Sequence, residues 1–112
     1  MNRMLIVDDE KLILEGLVQL FTQESNRDLA VYQASSAIEA LSVLARKKID
    51  ILLTDIRMPT MTGLQLAEQV RERWPDCRII FLTGYQDFDF IYEAVKKGPV
   101  RYVLKSEGDA KI

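Results

Sequence analysis

Five polar residues of this sequence stand in the same relation to its apolar runs. Asp8 and Asp9 follow Leu5-Ile6-Val7, Asp55 follows Ile51-Leu52-Leu53-Thr54, Thr83 follows Ile79-Ile80-Phe81-Leu82, and Lys105 follows Val103-Leu104. If the runs are strands, all five residues lie at strand carboxyl ends, where open α/β sheets bind their ligands. Three carboxylates gathered in one crevice repel one another unless cations compensate. Oxygen ligation with no His or Cys points to a hard ion, and a few carboxylates completed by water suit Mg²⁺ better than an all-protein Ca²⁺ cage. Lys105 supplies a second, fixed positive charge. A carboxylate beside Mg²⁺, a lysine and a hydroxyl is the equipment for accepting a phosphoryl group, because that chemistry rests mainly on positioning and charge neutralisation. Asp55 is the candidate nucleophile.

The elements that must position these residues are legible as five short apolar runs, Met4–Val7, Leu29–Ala34, Ile49–Thr54, Arg78–Thr83 and Val100–Leu104. Most are too uniformly apolar for one-sided antiparallel strands and read as buried parallel ones. Helical spacing separates them: Ile13, Leu17, Leu20 and Phe21; Ala37, Ala40, Leu41 and Leu44; Leu66, Val70 and Trp74; Ile91, Ala94 and Val95. Ser36 with Glu39 reads as a capping box, Pro75-Asp76 as the end of the third helix and Gly98-Pro99 as the end of the fourth. The order βαβαβαβαβ implies an open five-stranded parallel α/β sheet. The second run ends in Gln33-Ala34-Ser35 without an ionisable group, as expected of an edge strand in the order 2-1-3-4-5. After the fifth run only Ser106–Ile112 remain, which would span about 10 Å as a helix, so the helix that should close the sheet is expected to be missing or truncated.

Composition narrows the function classes. A chain of 112 residues that is 48% hydrophobic fits one domain with its own core. With 15 basic against 17 acidic residues, charge alone gives no nucleic-acid surface. The absence of histidine removes His-based triads, His zinc sites and any phosphohistidine carrier role. A single cysteine, Cys77, forms no internal disulfide, and the apolar run near the N-terminus is too short for a signal peptide or a membrane span, so a cytoplasmic protein without membrane contact is expected.

Each residue also has a plain structural reading. One aspartate after a strand is usually a solvated turn or a helix cap, Thr83 is an ordinary strand residue, and Tyr102 a half-buried aromatic. Met58-Pro59 reads as structural, with Gly63 permitting a turn before the next helix, Trp74 and Cys77 as packing residues, and Arg57 as a solvated side chain. The joint placement of the aspartates and the lysine is what argues for chemistry.

Asp8-Asp9, Asp55 with Met58-Pro59 and Gly63 behind it, Thr83 and Lys105 together resemble the motif set of response-regulator receiver domains, and the resemblance spans the whole chain. It implies a flavodoxin-like fold and a single receiver domain over residues 1–112 with no output domain. It further implies that Asp55 takes a phosphoryl group from a sensor histidine kinase, and that Mg²⁺ is held by Asp9, Asp55 and the backbone carbonyl of Arg57, with Asp8 acting largely through water. Lys105 would contact the phosphoryl oxygens, Thr83 would turn its hydroxyl toward them, and Tyr102 would be the aromatic that swings inward in the active state. Such a protein catalyses only its own phosphorylation and dephosphorylation. The stretch Leu82-Thr83-Gly84-Tyr85-Gln86-Asp87-Phe88 is similar to a subgroup whose output is often a DNA-binding helix-turn-helix pair of the AraC type.

Two departures stand out. Lys105-Ser106 replaces the family's usual Lys-Pro, and a non-proline cis bond there would cost roughly 2.5–4 kcal/mol. The absent closing helix would leave apolar sheet surface to be covered by another copy, as a homodimer or a domain-swapped oligomer. Two rival readings are a Mg²⁺-dependent phosphatase with an aspartate nucleophile and an interaction domain without phosphorylation. The phosphatase typically needs Asp-x-Asp, where this sequence has Arg57 in the second position. The interaction domain would be free to lose Asp9, Asp55 or Lys105, and all three are present.

Overall fold

Each central apolar run buries both of its faces, and that dictates the layering. The computed structural model describes residues 2–24, 29–83 and 101–104. Along β1 (Asn2–Val7), Met4 and Ile6 join one buried cluster and Leu5 and Val7 another. In β3 (Ile51–Asp55) Leu53 parts from Leu52 in the same way, and in β4 (Arg78–Thr83) Leu82 parts from Ile79 and Phe81. Side chains alternate across a strand, so two-sided burial requires a helical layer on each face. The even residues of β1 pack with Leu14 and Leu17 of α1 (Lys11–Glu24). The odd ones pack with Ala37, Ala40 and Leu44 of α2 (Ala37–Arg46) and Leu66, Ala67 and Val70 of α3 (Gly63–Arg73).

The sheet is parallel, in the order β2-β1-β3-β4-β5, with β2 (Leu29–Ala34) and β5 (Arg101–Leu104) at its edges. The fold class and strand order expected from the sequence are those found. Three strand starts differ from the apolar runs, with β1 beginning at Asn2 rather than Met4, β3 at Ile51 rather than Ile49 and β5 at Arg101 rather than Val100, and β3 ends on Asp55 rather than Thr54. The late start of β3 has a cause in Asp50, which bonds to strands on either side of it. Its N–H donates to the Arg3 carbonyl at 2.9 Å, its Oδ2 accepts from the Arg3 N–H at 2.8 Å, and its carbonyl accepts from the Arg78 N–H at 2.9 Å.

The caps differ in detail from the sequence reading. Ser36 is the N-cap of α2 and accepts from the Glu39 N–H, but the Glu39 carboxylate turns to the N–H and hydroxyl of Ser35. Those bonds hold the Glu39 carboxyl below the usual range. The reciprocal capping box belongs to α3, where Thr62 and Gln65 each accept from the other's backbone N–H. As expected, α3 ends just before Pro75. The expected fourth helix around Ile91, Ala94 and Val95 and the segment after Leu104 lie outside the described residues. Among the described residues no helix is long and apolar enough to cross a membrane.

Candidate functional site

Strand register delivers the carboxylates to one place. Val7 pairs with Thr54, so the next step along each strand sets Asp8 beside Asp55. Both continue the parity of Ile6 and Leu53, the residues that face α1. The Asp8 N–H still reaches the Ala34 carbonyl of β2 at 3.3 Å, which keeps the residue tied to the sheet after β1 has formally ended. Asp9 follows at the rim. Carboxylate oxygens of Asp8, Asp9 and Asp55 all lie within 4.8 Å of one another, with Asp8 and Asp55 buried at 0% and 3% exposure and Asp9 exposed. At an effective dielectric near 20, unit charges at such spacing repel by about 3.5 kcal/mol or more per pair. A divalent cation removes that cost. The donor set is all oxygen, part buried and part open to water, which fits a hard ion that keeps some of its waters.

Backbone donors fix how the carboxylates point. Asp8 Oδ1 accepts from the Glu10 N–H at 2.8 Å, and Asp55 Oδ1 accepts from the Ile56 N–H at 2.9 Å. Thr54 Oγ1 donates to the Asp55 carbonyl at 3.0 Å, within the buried interior. The loop behind Asp55 is anchored by Ile56 and Met58, both buried in the core, while Arg57 between them is exposed. Gly63, expected to permit a turn, does something else. It is the first residue of α3 and lies directly against the nucleophile candidate: a Cβ there would stand 2.1 Å from the Asp55 carbonyl oxygen. The turn itself falls on Thr60, at φ 74°, where the Met61 N–H donates to the Pro59 carbonyl at 2.8 Å.

Of the residues expected to act together, Asp8, Asp9 and Asp55 converge. Thr83 ends β4 and pairs with Leu104, one step beyond the pair Asp55 and Leu82, so its backbone stands at the same end of the sheet. Tyr102 pairs with Phe81 in β5. The side chains of Thr83 and Tyr102, and the whole of Lys105 and Ser106, lie outside the described residues.

Against known proteins, residues 4–112 match the family described as response regulator receiver domain. The chain belongs to that family. An uncharacterized response regulatory protein of Staphylococcus epidermidis is 35% identical to this receiver domain over 105 residues, which are 94% of this chain and 41% of the relative. The uncharacterized transcriptional regulatory protein YesN of Bacillus subtilis is 33% identical over 112 residues, 100% of this chain and 30% of the relative. The chain thus spans less than half the length of these curated relatives. Among solved structures, a two component transcriptional regulator AraC from Clostridium phytofermentans superposes with a TM-score of 0.83 at 38% identity, covering 95% of this chain and 82% of the other.

Three features of this receiver domain escaped the sequence reading. Asp50 lies inside the apolar run Ile49–Thr54, and nothing in its neighbourhood marks it as a bridge between β1 and β4. The close approach of Gly63, the first residue of α3, to Asp55 depends on tertiary geometry, which a glycine eight residues after an aspartate does not disclose. The Thr62-x-x-Gln65 spacing carries the reciprocal capping box, which the sequence reading assigned to Ser36 and Glu39.

Proposed function

We propose that this receiver domain accepts a phosphoryl group on Asp55 from a sensor histidine kinase, in a reaction that depends on Mg²⁺. The observation that supports the reading is the convergence of the buried Asp8 and Asp55 carboxylates with the exposed Asp9 within 4.8 Å. In the transfer, an Asp55 oxygen bonds to phosphorus as the phosphorus–nitrogen bond of the kinase's phosphohistidine breaks, and the electron pair leaves on the imidazole. Asp9, Asp55 and the Arg57 carbonyl would hold Mg²⁺, with Asp8 acting through water. When bound, the ion neutralises charge on the transferring oxygens. Lys105 would contact those oxygens, and Thr83 would turn its hydroxyl toward them.

The acyl phosphate biases a pre-existing equilibrium through Thr83 and Tyr102, since phosphorylation shifts two states only as far as it favours one. The output is transcriptional, as the names of relatives such as YesN suggest, and it operates in the cytoplasm. The domain turns over no substrate other than its own phosphoryl group.

The test is incubation with a small-molecule phosphodonor, with and without Mg²⁺. A stoichiometric adduct that forms only with Mg²⁺ supports the receiver reading. Continuous release of phosphate from many esters would instead indicate a phosphatase, and no adduct under any condition an interaction domain.

A further inference from the structure

The loop from Asp55 to Gly63 closes on itself, and the closure bears on the carboxylate. The Gly63 N–H donates to the Ile56 carbonyl at 2.7 Å, and the N–H of the same Ile56 donates to Asp55 Oδ1 at 2.9 Å. One peptide step therefore links the start of α3 to the carboxylate. From the other side, Gly63 lies so close to Asp55 that a Cβ would stand 2.1 Å from its carbonyl oxygen, 3.0 Å from its carbonyl carbon and 3.1 Å from the Ile56 Cα. All three neighbours are backbone atoms, which cannot rotate out of the way as the end of a flexible side chain can.

The far end of the loop is held by the turn at Thr60. A bond from residue i+2 back to residue i across a positive φ is the γ-turn form that few residues adopt. For an exposed β-branched threonine this is a disfavoured backbone. It persists because Ile56 and Met58 are buried and Gly63 is bonded to Ile56, which leaves the chain one way to reverse.

We infer that Gly63 is a positioning residue for the Asp55 carboxylate, and that the turn at Thr60 holds it in that role. Gly63 fixes the Asp55 main chain by contact and the Asp55 carboxylate through Ile56. A side chain at residue 63 must displace the Asp55–Ile56 backbone that carries the carboxylate, and so disturb its placement beside Asp8 and Asp9. A residue that cannot take a positive φ at position 60 opens the loop from its far end without touching the carboxylates. This inference rests on the proposed cation site.

The test is Mg²⁺ titration by calorimetry on the wild-type chain, Gly63→Ala, Thr60→Pro and Thr60→Gly, with folding checked by circular dichroism in chelator. Proline cannot adopt φ 74°, whereas glycine adopts it freely. Groups that orient metal ligands typically change affinity by roughly 10–100-fold when altered. Folded Gly63→Ala and Thr60→Pro should lose affinity in that range, while Thr60→Gly should stay within about twofold of wild type. Because residue 60 is exposed, Thr60→Pro decides the question if Gly63→Ala fails to fold. Wild-type affinity in Thr60→Pro and in any folded Gly63→Ala, or an equal loss in Thr60→Gly, overturns the inference alone. A wild-type chain that binds no Mg²⁺ overturns the cation site and the inference together.

Discussion

Arg3 and Asp50 hold one another reciprocally: the Asp50 N–H donates to the Arg3 carbonyl at 2.9 Å while the Asp50 carboxylate accepts from the Arg3 N–H at 2.8 Å. The pair locks the amino-terminal ends of β1 and β3 together, and the Asp50 carbonyl adds β4 through Arg78. Register set at that end is the register that brings Asp8 beside Asp55 at the other. Asp50→Ala should cost roughly 1–3 kcal/mol of stability, the range for removing a charged partner from a part-buried hydrogen bond. Chemical denaturation measures it, and a change under about 0.5 kcal/mol, the usual range for surface substitutions, would contradict the role.

A second lock ties α3 to α2. Arg73 Nε and Trp74 Nε1 both donate to the Leu44 carbonyl, at 3.0 and 3.2 Å, and Arg73 Nη2 donates to the Ala45 carbonyl at 3.1 Å. These carbonyls belong to the last turn of α2, where no intrahelical donor is available. Arg73→Ala should destabilise by about 1 kcal/mol and Trp74→Phe by a similar amount, each close to one net hydrogen bond. The double variant should lose less than the two added together if both side chains serve Leu44, which a double-mutant cycle reads directly.

Cys77 gives a pH prediction. Burial and the nearby Asp50 charge push its thiol up to about 11 from an ordinary 9.0. The native state then binds the proton more tightly than the unfolded chain does, so this contribution to stability is present below about 9 and declines as pH rises through 11. Stability measured against pH for the wild type and Cys77→Ala should diverge in that window, with the wild type falling more steeply. Parallel curves would contradict it. Alkylation of the native thiol at pH 8 should be slow for the same reason.

The carboxylate cluster predicts opposite effects of one substitution with and without metal. Asp9 is exposed, so Asp9→Asn removes repulsion toward Asp8 and Asp55 without leaving a buried gap. In chelator and low salt the variant should be more stable than wild type, by roughly 1 kcal/mol or less after solvent screening. In excess Mg²⁺ the order should reverse, because the wild type gains binding energy in its folded state that the variant lacks. Thermal unfolding in both conditions checks it, and an unchanged order would count against a shared cation site.

What the sequence disclosed and what it withheld follow from one distinction. The strands were legible because burial on both faces leaves uniformly apolar runs, and Asp8, Asp9 and Asp55 were legible because each breaks such a run at the same end. Their meeting is a register statement, and parallel sheets make register readable from where the runs stop. Gly63 was read as a turn residue, since sequence shows that a side chain is missing and not what the missing Cβ makes room for. The turn went to Thr60, a residue no propensity would nominate, because the burial of Ile56 and Met58 overrides local preference. Asp50, Arg73 and Trp74 act on backbone atoms of distant segments, and hydrogen bonds to backbone leave no mark on the partner's sequence.

Phosphorylation of Asp55 is read most directly by intact-mass and peptide-level mass spectrometry of the chain after exposure to a phosphodonor in Mg²⁺. One added phosphoryl group is expected, located on Asp55, absent in chelator and absent in Asp55→Asn. A phosphoryl group found on any other residue of the wild type, or an adduct that persists in Asp55→Asn, would contradict it.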